Sequence, residues 1–366
     1  MGNKPIIIKV PGKLMVAGEF AVLEPHQKLA VMAVDRFVYA TLQPSNTNQL
    51  TLENFDLNNL HWDFNNQEVN VETDDSKVLF VQNAMTVALT YLEEQSIPTH
   101  PFHLSIKSEL DDGAGKKYGL GSSAAVVTAV ISSILHAFYP EKAIPKLIFK
   151  LASITHVKTQ GNGSGADVAA SSYGGFLEYS SFQAEWLAKN YQELGSLREL
   201  LQRDWKYLSI KPVSLPQEIY VCIGWTGSPA STGRLVDEVL ELKRHNPQRF
   251  QQFLDQSEEA VQNILMGMRE NSLKKLFLGV KQNRRALREV GDAANVEIET
   301  QLLGNLCDIA EQLGGAAKPS GAGGGDCGIA FMPTKAKASE LLKSWEAAGI
   351  TPLDIQPTSY GASLLK

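Results

Sequence analysis

The sequence predicts an α+β fold in two domains, and three observations carry that prediction. The chain has 366 residues, enough for about two domains of ordinary size. Strand-like and helix-like patterns are mixed in both halves. The character changes near Leu215: Val- and aromatic-rich strand patterns are prominent before it, and long helical patterns dominate after it. The predicted division is therefore 1–215 and 216–366. Apolar residues at 43% and charged residues at 20% fit a globular chain and exclude disorder as the main state.

The elements follow in order. Residues 6–10 read as a strand stopped by Pro11-Gly12, and 29–42 as a long strand or hairpin arm. The polar, Asn-rich stretch 45–75 suits surface hairpins. Val78, Val81, Met85, Leu89 and Leu92 recur at helical spacing, which predicts a helix from Lys77 to Gln95. A strand at 103–109 leads into the loop DDGAGKKYGLG and a helix from Ser122 to about Phe138. Pro145 suits the first turn of another helix, running to about Thr159. The loop GNGSGAD then precedes small residues and a strand at Phe176–Tyr179. In the second half, strands at Tyr207–Ile210 and Ile219–Ile223 come before helices at 232–245, 247–268, 271–294 and 298–313. A glycine cluster at 321–325, a strand at Gly328–Phe331, a helix at 335–348 and a terminal strand near 353–364 complete the chain.

Composition narrows the function. With 34 Lys plus Arg against 40 Asp plus Glu, the net charge is −6, which argues against a dedicated nucleic-acid binder but leaves room for a local basic pocket. Cys222, Cys307 and Cys327 are too few and scattered for a disulfide framework or a zinc knuckle. No apolar run reaches 18 residues, so no membrane span is expected. No signal peptide is legible, and Ile6 stands where a myristoylation signal needs Ser or Thr. A cytoplasmic location is the expectation. The seven histidines show no metal-ligand spacing; His100 and His103 read as solvated or packed.

Three glycine-bearing motifs stand out. In Gly119-Leu120-Gly121-Ser122-Ser123-Ala124-Ala125, glycines let the backbone approach an anion and the first helical N–H groups point at it. A serine N-cap would explain one glycine and one serine, so on these residues alone cap and phosphate site stay about equally open. The segment is neither a Walker A loop nor a Gly-x-Gly-x-x-Gly fingerprint. Lys9-Val10-Pro11-Gly12-Lys13-Leu14, followed by Gly18-Glu19-Phe20, ends a strand in turn chemistry, and a lone lysine there reads better as a solvated charge. Lys318-Pro319-Ser320-Gly321-Ala322-Gly323-Gly324-Gly325-Asp326-Cys327-Gly328 makes a loop able to lie flat against a ligand, or a hinge.

Together, in this order and near these spacings, the three motifs resemble the GHMP kinase superfamily over nearly the whole chain. The runs EFAVLEP, AVDRFVYATL, KYGLGSSAA, GWTGSPAST and KPSGAGGGDCGIAF look like its bacterial phosphomevalonate kinase branch; Phe20 stands where mevalonate kinases usually have His. The resemblance implies a two-domain GHMP kinase fold, with an N-terminal part like domain 2 of ribosomal protein S5 and a ferredoxin-like C-terminal part. It implies ATP and Mg²⁺, phosphomevalonate as acceptor, and a monomer or homodimer. By the same resemblance Gly119, Leu120, Gly121, Ser122 and Ser123 hold the nucleotide phosphates, with Ser123 as the Mg²⁺ ligand. Lys9 and Lys117 sit by the acceptor phosphate and the transferring group. Asp167, in Gly163-Ser164-Gly165-Ala166-Asp167, matches the active-site aspartate, and Ser164, Ser231 and Ala322 match substrate-side positions. A phosphate monoester is largely ionised at neutral pH, its second pKa being about 6. Asp167 is therefore expected chiefly to orient Lys9, with base catalysis secondary. Lys9, Lys13, Lys116 and Lys117 are the expected counter-charges to the two polyanions. Mevalonate kinase, diphosphomevalonate decarboxylase and a non-catalytic ATP-binding relative are the alternatives.

Overall fold

The computed structural model describes residues 4–110, 118–228 and 232–365. In chain order the elements are β1 (Ile6–Ala17), β2 (Leu29–Pro44), β3 (Gln49–Leu52), β4 (Leu57–Asn65), β5 (Glu68–Val71), α1 (Leu79–Glu94), β6 (Phe102–Ser108), α2 (Ser122–Phe138), α3 (Pro145–Gln160), α4 (Ala166–Tyr173), β7 (Phe176–Ser180), α5 (Ala184–Leu194), α6 (Leu197–Gln202) and β8 (Ser209–Val213). Then follow β9 (Tyr220–Trp225), α7 (Thr232–His245), α8 (Pro247–Arg269), α9 (Leu273–Ala294), α10 (Gln301–Gln312), β10 (Ala316–Pro319), β11 (Cys327–Met332), α11 (Lys335–Ala347), β12 (Thr351–Leu353) and β13 (Ser363–Leu364).

Among the described residues the strands form two sheets. The first runs β13-β1-β2-β6-β3-β4-β5, and β7 extends from the other end of β2 to β8. The long β2 makes this possible: residues 38–44 pair with β6, and residues 29–32 pair with β7. The second sheet is β10-β11-β9-β12, antiparallel throughout. The chain changes sheet between Val213 and Tyr220. The terminal strand crosses back, however, with Leu364 opposite Ile8 and Ser363 opposite Lys9.

Pro11-Gly12 does not stop β1, contrary to the sequence reading. The strand passes through with a register shift between these two residues. The extra residues are on β2, where Asp35 and Arg36 stand unmatched between Phe37, opposite Pro11, and Val34, opposite Gly12; a break in the ladder tolerates proline's missing N–H. The Ser171 hydroxyl donates to the Pro11 carbonyl at 2.9 Å and secures the kink. The terminal segment also differs from the single strand expected: β12 and β13 belong to different sheets. The helices α4 to α6 and the strand β10 were not anticipated.

Packing follows from composition. The apolar face of α2, rich in Ala and Val, is buried with α1, α3 and α4 against the first sheet. Phe20, Val239, Phe250, Phe253, Leu287 and Ile298 form a separate cluster that joins the end of β1 to α7, α8 and α9. Trp345, Leu341 and Leu306 seal α10 and α11 onto the second sheet. The three cysteines are buried and unpaired, and no described helix is long and apolar enough to cross a membrane.

One buried lysine gives a pH prediction. Lys150 on α3 donates to the carbonyls of Leu201 (2.7 Å) and Arg203 (3.3 Å) beneath the Trp205 ring. Burial, aided by Lys146, pulls its pKa down to about 8. Between that value and the ordinary lysine pKa of 10.5, the unfolded chain holds more protons than the folded one. Stability contributed by this group therefore rises with pH across that window. Urea unfolding at pH 7, 8.5 and 10 should show wild type gaining on Lys150→Met as pH rises; a constant difference would contradict this.

Candidate active site

The α2 N-terminus is built from glycine. Gly121 occupies the N-cap position at φ +76°, and no side chain caps the first turn. The serine-cap alternative is thus not what the chain builds; Ser122 and Ser123 lie inside the helix. Two glycines are required by what lies against them. A Cβ on Gly121 would come within 2.9 Å of the Lys13 stem, and one on Gly119 within 2.7 Å of the Asp326 carboxylate. Lys13 thus lies along the loop; its ammonium donates to the Gly119 carbonyl at 2.9 Å, and its backbone N–H to the Leu120 carbonyl at 2.8 Å.

The second N-terminus is that of α4. Gly165 is its N-cap, again at φ +76° and without a side-chain cap. Asp167 sits in the first turn with Oδ1 accepting from the Val168 N–H at 2.9 Å. Ser164 accepts from the Ala166 N–H through its hydroxyl, and its carbonyl accepts from the buried Tyr179 hydroxyl at 2.6 Å. Burial and the Asp167 charge hold that phenol protonated, far above its usual range.

Lys13 is the cation that these parts share. Burial lowers its pKa, opposed by Asp167, Asp326, Cys327 and Glu19 in turn. Lys9 is placed differently: its ammonium stands over the Phe37 ring at 4.8 Å, on a residue paired with Tyr39 and Ser363. Among the described residues Lys9 and Asp167 form no ion pair. The expected Lys9–Asp167 pair is not formed among the described residues; the charge of Asp167 acts instead on Lys13, which lies along the glycine loop.

The third motif joins the first through a buried polar network. Lys318, fully buried, forms an ion pair with Glu19, which is 4% exposed. Glu19 also accepts from Asn283 and from the Gly321 N–H at 3.3 Å each, and Asn283 accepts from the Gly18 N–H at 3.0 Å. The Ser320 hydroxyl donates to the Met15 carbonyl at 2.9 Å. Ala322 packs half-buried against the Phe20 cluster. Asp326 and Cys327 bring this loop to the glycine loop of α2, where the Cys327 thiol donates to the Tyr118 carbonyl. Lys116, Lys117 and Ser231 lie outside the described residues.

The sequence reading passed over one residue here. His156 on α3 is buried, with Nε2 3.3 Å from the Ser123 hydroxyl and 3.9 Å from the Asp167 carboxylate. Its position within a helical apolar pattern carried no signal of this.

Comparison with known proteins agrees with this assembly. The model for the GHMP kinases N terminal domain matches residues 81–175, and that for GHMP kinases C terminal matches 241–351. A phosphomevalonate kinase from Streptomyces sp. (strain CL190) is 30% identical, the match covering 98% of this chain and 99% of the relative. The mevalonate kinase of Thermococcus sibiricus is 27% identical over 95% of each. Among solved structures, a Lin0012 protein from Listeria innocua superposes with a TM-score of 0.93 at 38% identity, covering 99% of this chain and all of that one. Streptococcus pneumoniae phosphomevalonate kinase in complex with phosphomevalonate and AMPPNP gives 0.84 at 29% identity, covering 96% and 99%. With two glycine-capped helix N-termini joined through His156, and with both family models matched in order along its length, this chain belongs to the GHMP kinases.

Proposed function

We propose that the chain transfers the γ-phosphoryl group of ATP to phosphomevalonate, giving ADP and diphosphomevalonate. The observation that carries this is the convergence of three loops: the glycine N-terminus of α2 with Lys13 along it, Asp326 of the third motif against Gly119, and Asp167 of α4 joined to Ser123 through His156. The full-length likeness to a phosphomevalonate kinase supports the choice of acceptor.

Phosphoryl transfer asks a protein mainly for positioning and charge neutralisation. Gly119, Leu120, Gly121, Ser122 and Ser123 offer backbone N–H groups and hydroxyls at the positive end of α2, where nucleotide phosphates are stabilised. Lys13 neutralises charge that develops on the transferring group. The acceptor oxygen is already largely ionised at neutral pH, its second pKa being about 6. Asp167 therefore serves to orient Lys13, with proton removal secondary. Ser164 and Ala322, with Lys9, Lys117 and Ser231, are proposed on the acceptor side by the family resemblance.

The donor set also fits Mg²⁺. Among the described residues no group of three or more His, Cys, Asp or Glu is arranged to hold a metal. The Ser123 hydroxyl and the Asp167 carboxylate are hard oxygens, and Mg²⁺ typically takes only one or two protein oxygens beside phosphates and water. When bound it would offset the charge of the nucleotide phosphates. Ser123→Ala is expected to lower turnover by about 10²-fold while the fold is kept, a typical loss for one transition-state contact. Wild-type turnover at limiting Mg²⁺ would refute that role.

The deciding assay is ADP release with ATP and, separately, mevalonate, phosphomevalonate and diphosphomevalonate. Turnover confined to phosphomevalonate is expected. Turnover on mevalonate, or carbon dioxide release from diphosphomevalonate, would replace this reading.

A further inference from the structure

His156 occupies a narrow place: one ring nitrogen faces two groups at the N-termini of two different helices. Nε2 lies 3.3 Å from Ser123 Oγ on α2 and 3.9 Å from Asp167 Oδ2 on α4. The ring is buried and rests against Phe80, centroids 5.7 Å apart. Gly163 faces its other nitrogen, where a Cβ would stand 3.7 Å from Nδ1. Neither N-cap residue, Gly121 or Gly165, carries a capping side chain; Asp167 is held to its helix end through Oδ1, which accepts from the Val168 N–H, and its Oδ2 faces the ring.

The chemistry of the neighbours selects the tautomer. A bare Nε2 lone pair would face carboxylate lone pairs, whereas an Nε2–H points a positive edge at two acceptors. We propose that His156 is a positioning residue for phosphoryl transfer. It carries its proton on Nε2, donates it to Ser123 Oγ, and holds the Asp167 carboxylate on the same side. The hydroxyl's own hydrogen is then turned away from the ring, toward the space in front of the glycine loop. Asp167 is kept where it faces Lys13. The proposal rests on the phosphoryl-transfer reading of Ser123 and Asp167.

Two variants and one spectrum test it. His156→Leu keeps apolar bulk beside Phe80 but has no N–H; His156→Gln places an amide N–H near the position of Nε2. Misplacing reacting groups by about an ångström costs up to about 10²-fold in rate. His156→Leu is accordingly expected to lower kcat about 10- to 100-fold with the KM for phosphomevalonate changed less than about twofold. His156→Gln should recover most of that loss. Long-range ¹H–¹⁵N spectra of histidine-labelled enzyme at pH 8, free of nucleotide and metal, should show the Nε2–H tautomer for the signal that His156→Gln removes. That signal should move in Asp167→Asn. An Nδ1–H tautomer, unchanged kcat in His156→Leu, or equal losses in the Leu and Gln variants would overturn the proposal. If the acceptor reading were at fault instead, the wild type would not turn over phosphomevalonate, while the tautomer result would stand.

Discussion

Lys13→Met is expected to lower kcat by about 10²–10³-fold, the usual loss when a preorganised charge is taken from a developing transition state. The side chain lies along the Gly119–Gly121 loop and donates to the Gly119 carbonyl, and Asp167 and Asp326 both act on its charge. No other described lysine holds that position. Lys9→Met should fall short of the Lys13→Met loss by at least tenfold, because Lys9 stands over Phe37, four positions back along β1. Lys13→Arg should also be impaired despite its charge, since a planar guanidinium replaces the ammonium that donates to the Gly119 carbonyl. Steady-state kinetics of the three variants, each with a melting curve to establish folding, make the comparison. A Lys9→Met enzyme as damaged as Lys13→Met would return the central role to Lys9.

Lys318→Met is expected to cost about 3–5 kcal/mol of stability, the range seen when one member of a buried ion pair is removed and the other stays behind uncompensated. Among the described residues Glu19 would then keep Asn283 and the Gly321 N–H as its hydrogen-bond donors. Glu19→Gln combined with Lys318→Met removes both charges and should recover much of the loss, since apolar or neutral replacements of a whole pair are often tolerated. Urea unfolding of the single and double variants gives the comparison. A single-variant loss below about 1 kcal/mol, or a double variant worse than the sum of its parts, would contradict the account.

Motif chemistry was legible in the sequence because glycine leaves a local signature. Gly119 and Gly121 sit at positive φ with neighbours too close for a side chain, and no other residue type serves there. The main helices were legible for a similar reason, since their apolar spacing is local. The choice between Lys9 and Lys13 was not. It depends on which lysine lies along the glycine loop, and that shows itself only when the fold is known. Proline suggested an end to the strand; the partner β2 let it continue. His156 was hidden because its helical spacing matches the core pattern of α3, while its two polar neighbours come from other segments of the chain. The network of Glu19, Asn283 and Lys318 was invisible for the same reason, each member being an ordinary polar residue until the fold brings them together. Helices α5 and α6 are short and partly polar, which leaves periodicity little to work on.

The return of the chain's final described residues to the first sheet has a consequence for synthesis. The backbone N–H groups of Asp35 and Gly175 bond to the carbonyls of Gln356 and Thr358, and Ser363 and Leu364 lie alongside Lys9 and Ile8. The strand that carries Lys13 therefore lacks its outer neighbour until residues 363–364 have been made. Domains generally fold as units while the chain emerges, N-terminal first. Here β1 waits for a strand made long after it, and its edge is completed only once residues 363–364 have emerged. A change in β13 would act on β1 from a distance of hundreds of residues in sequence and one strand in space.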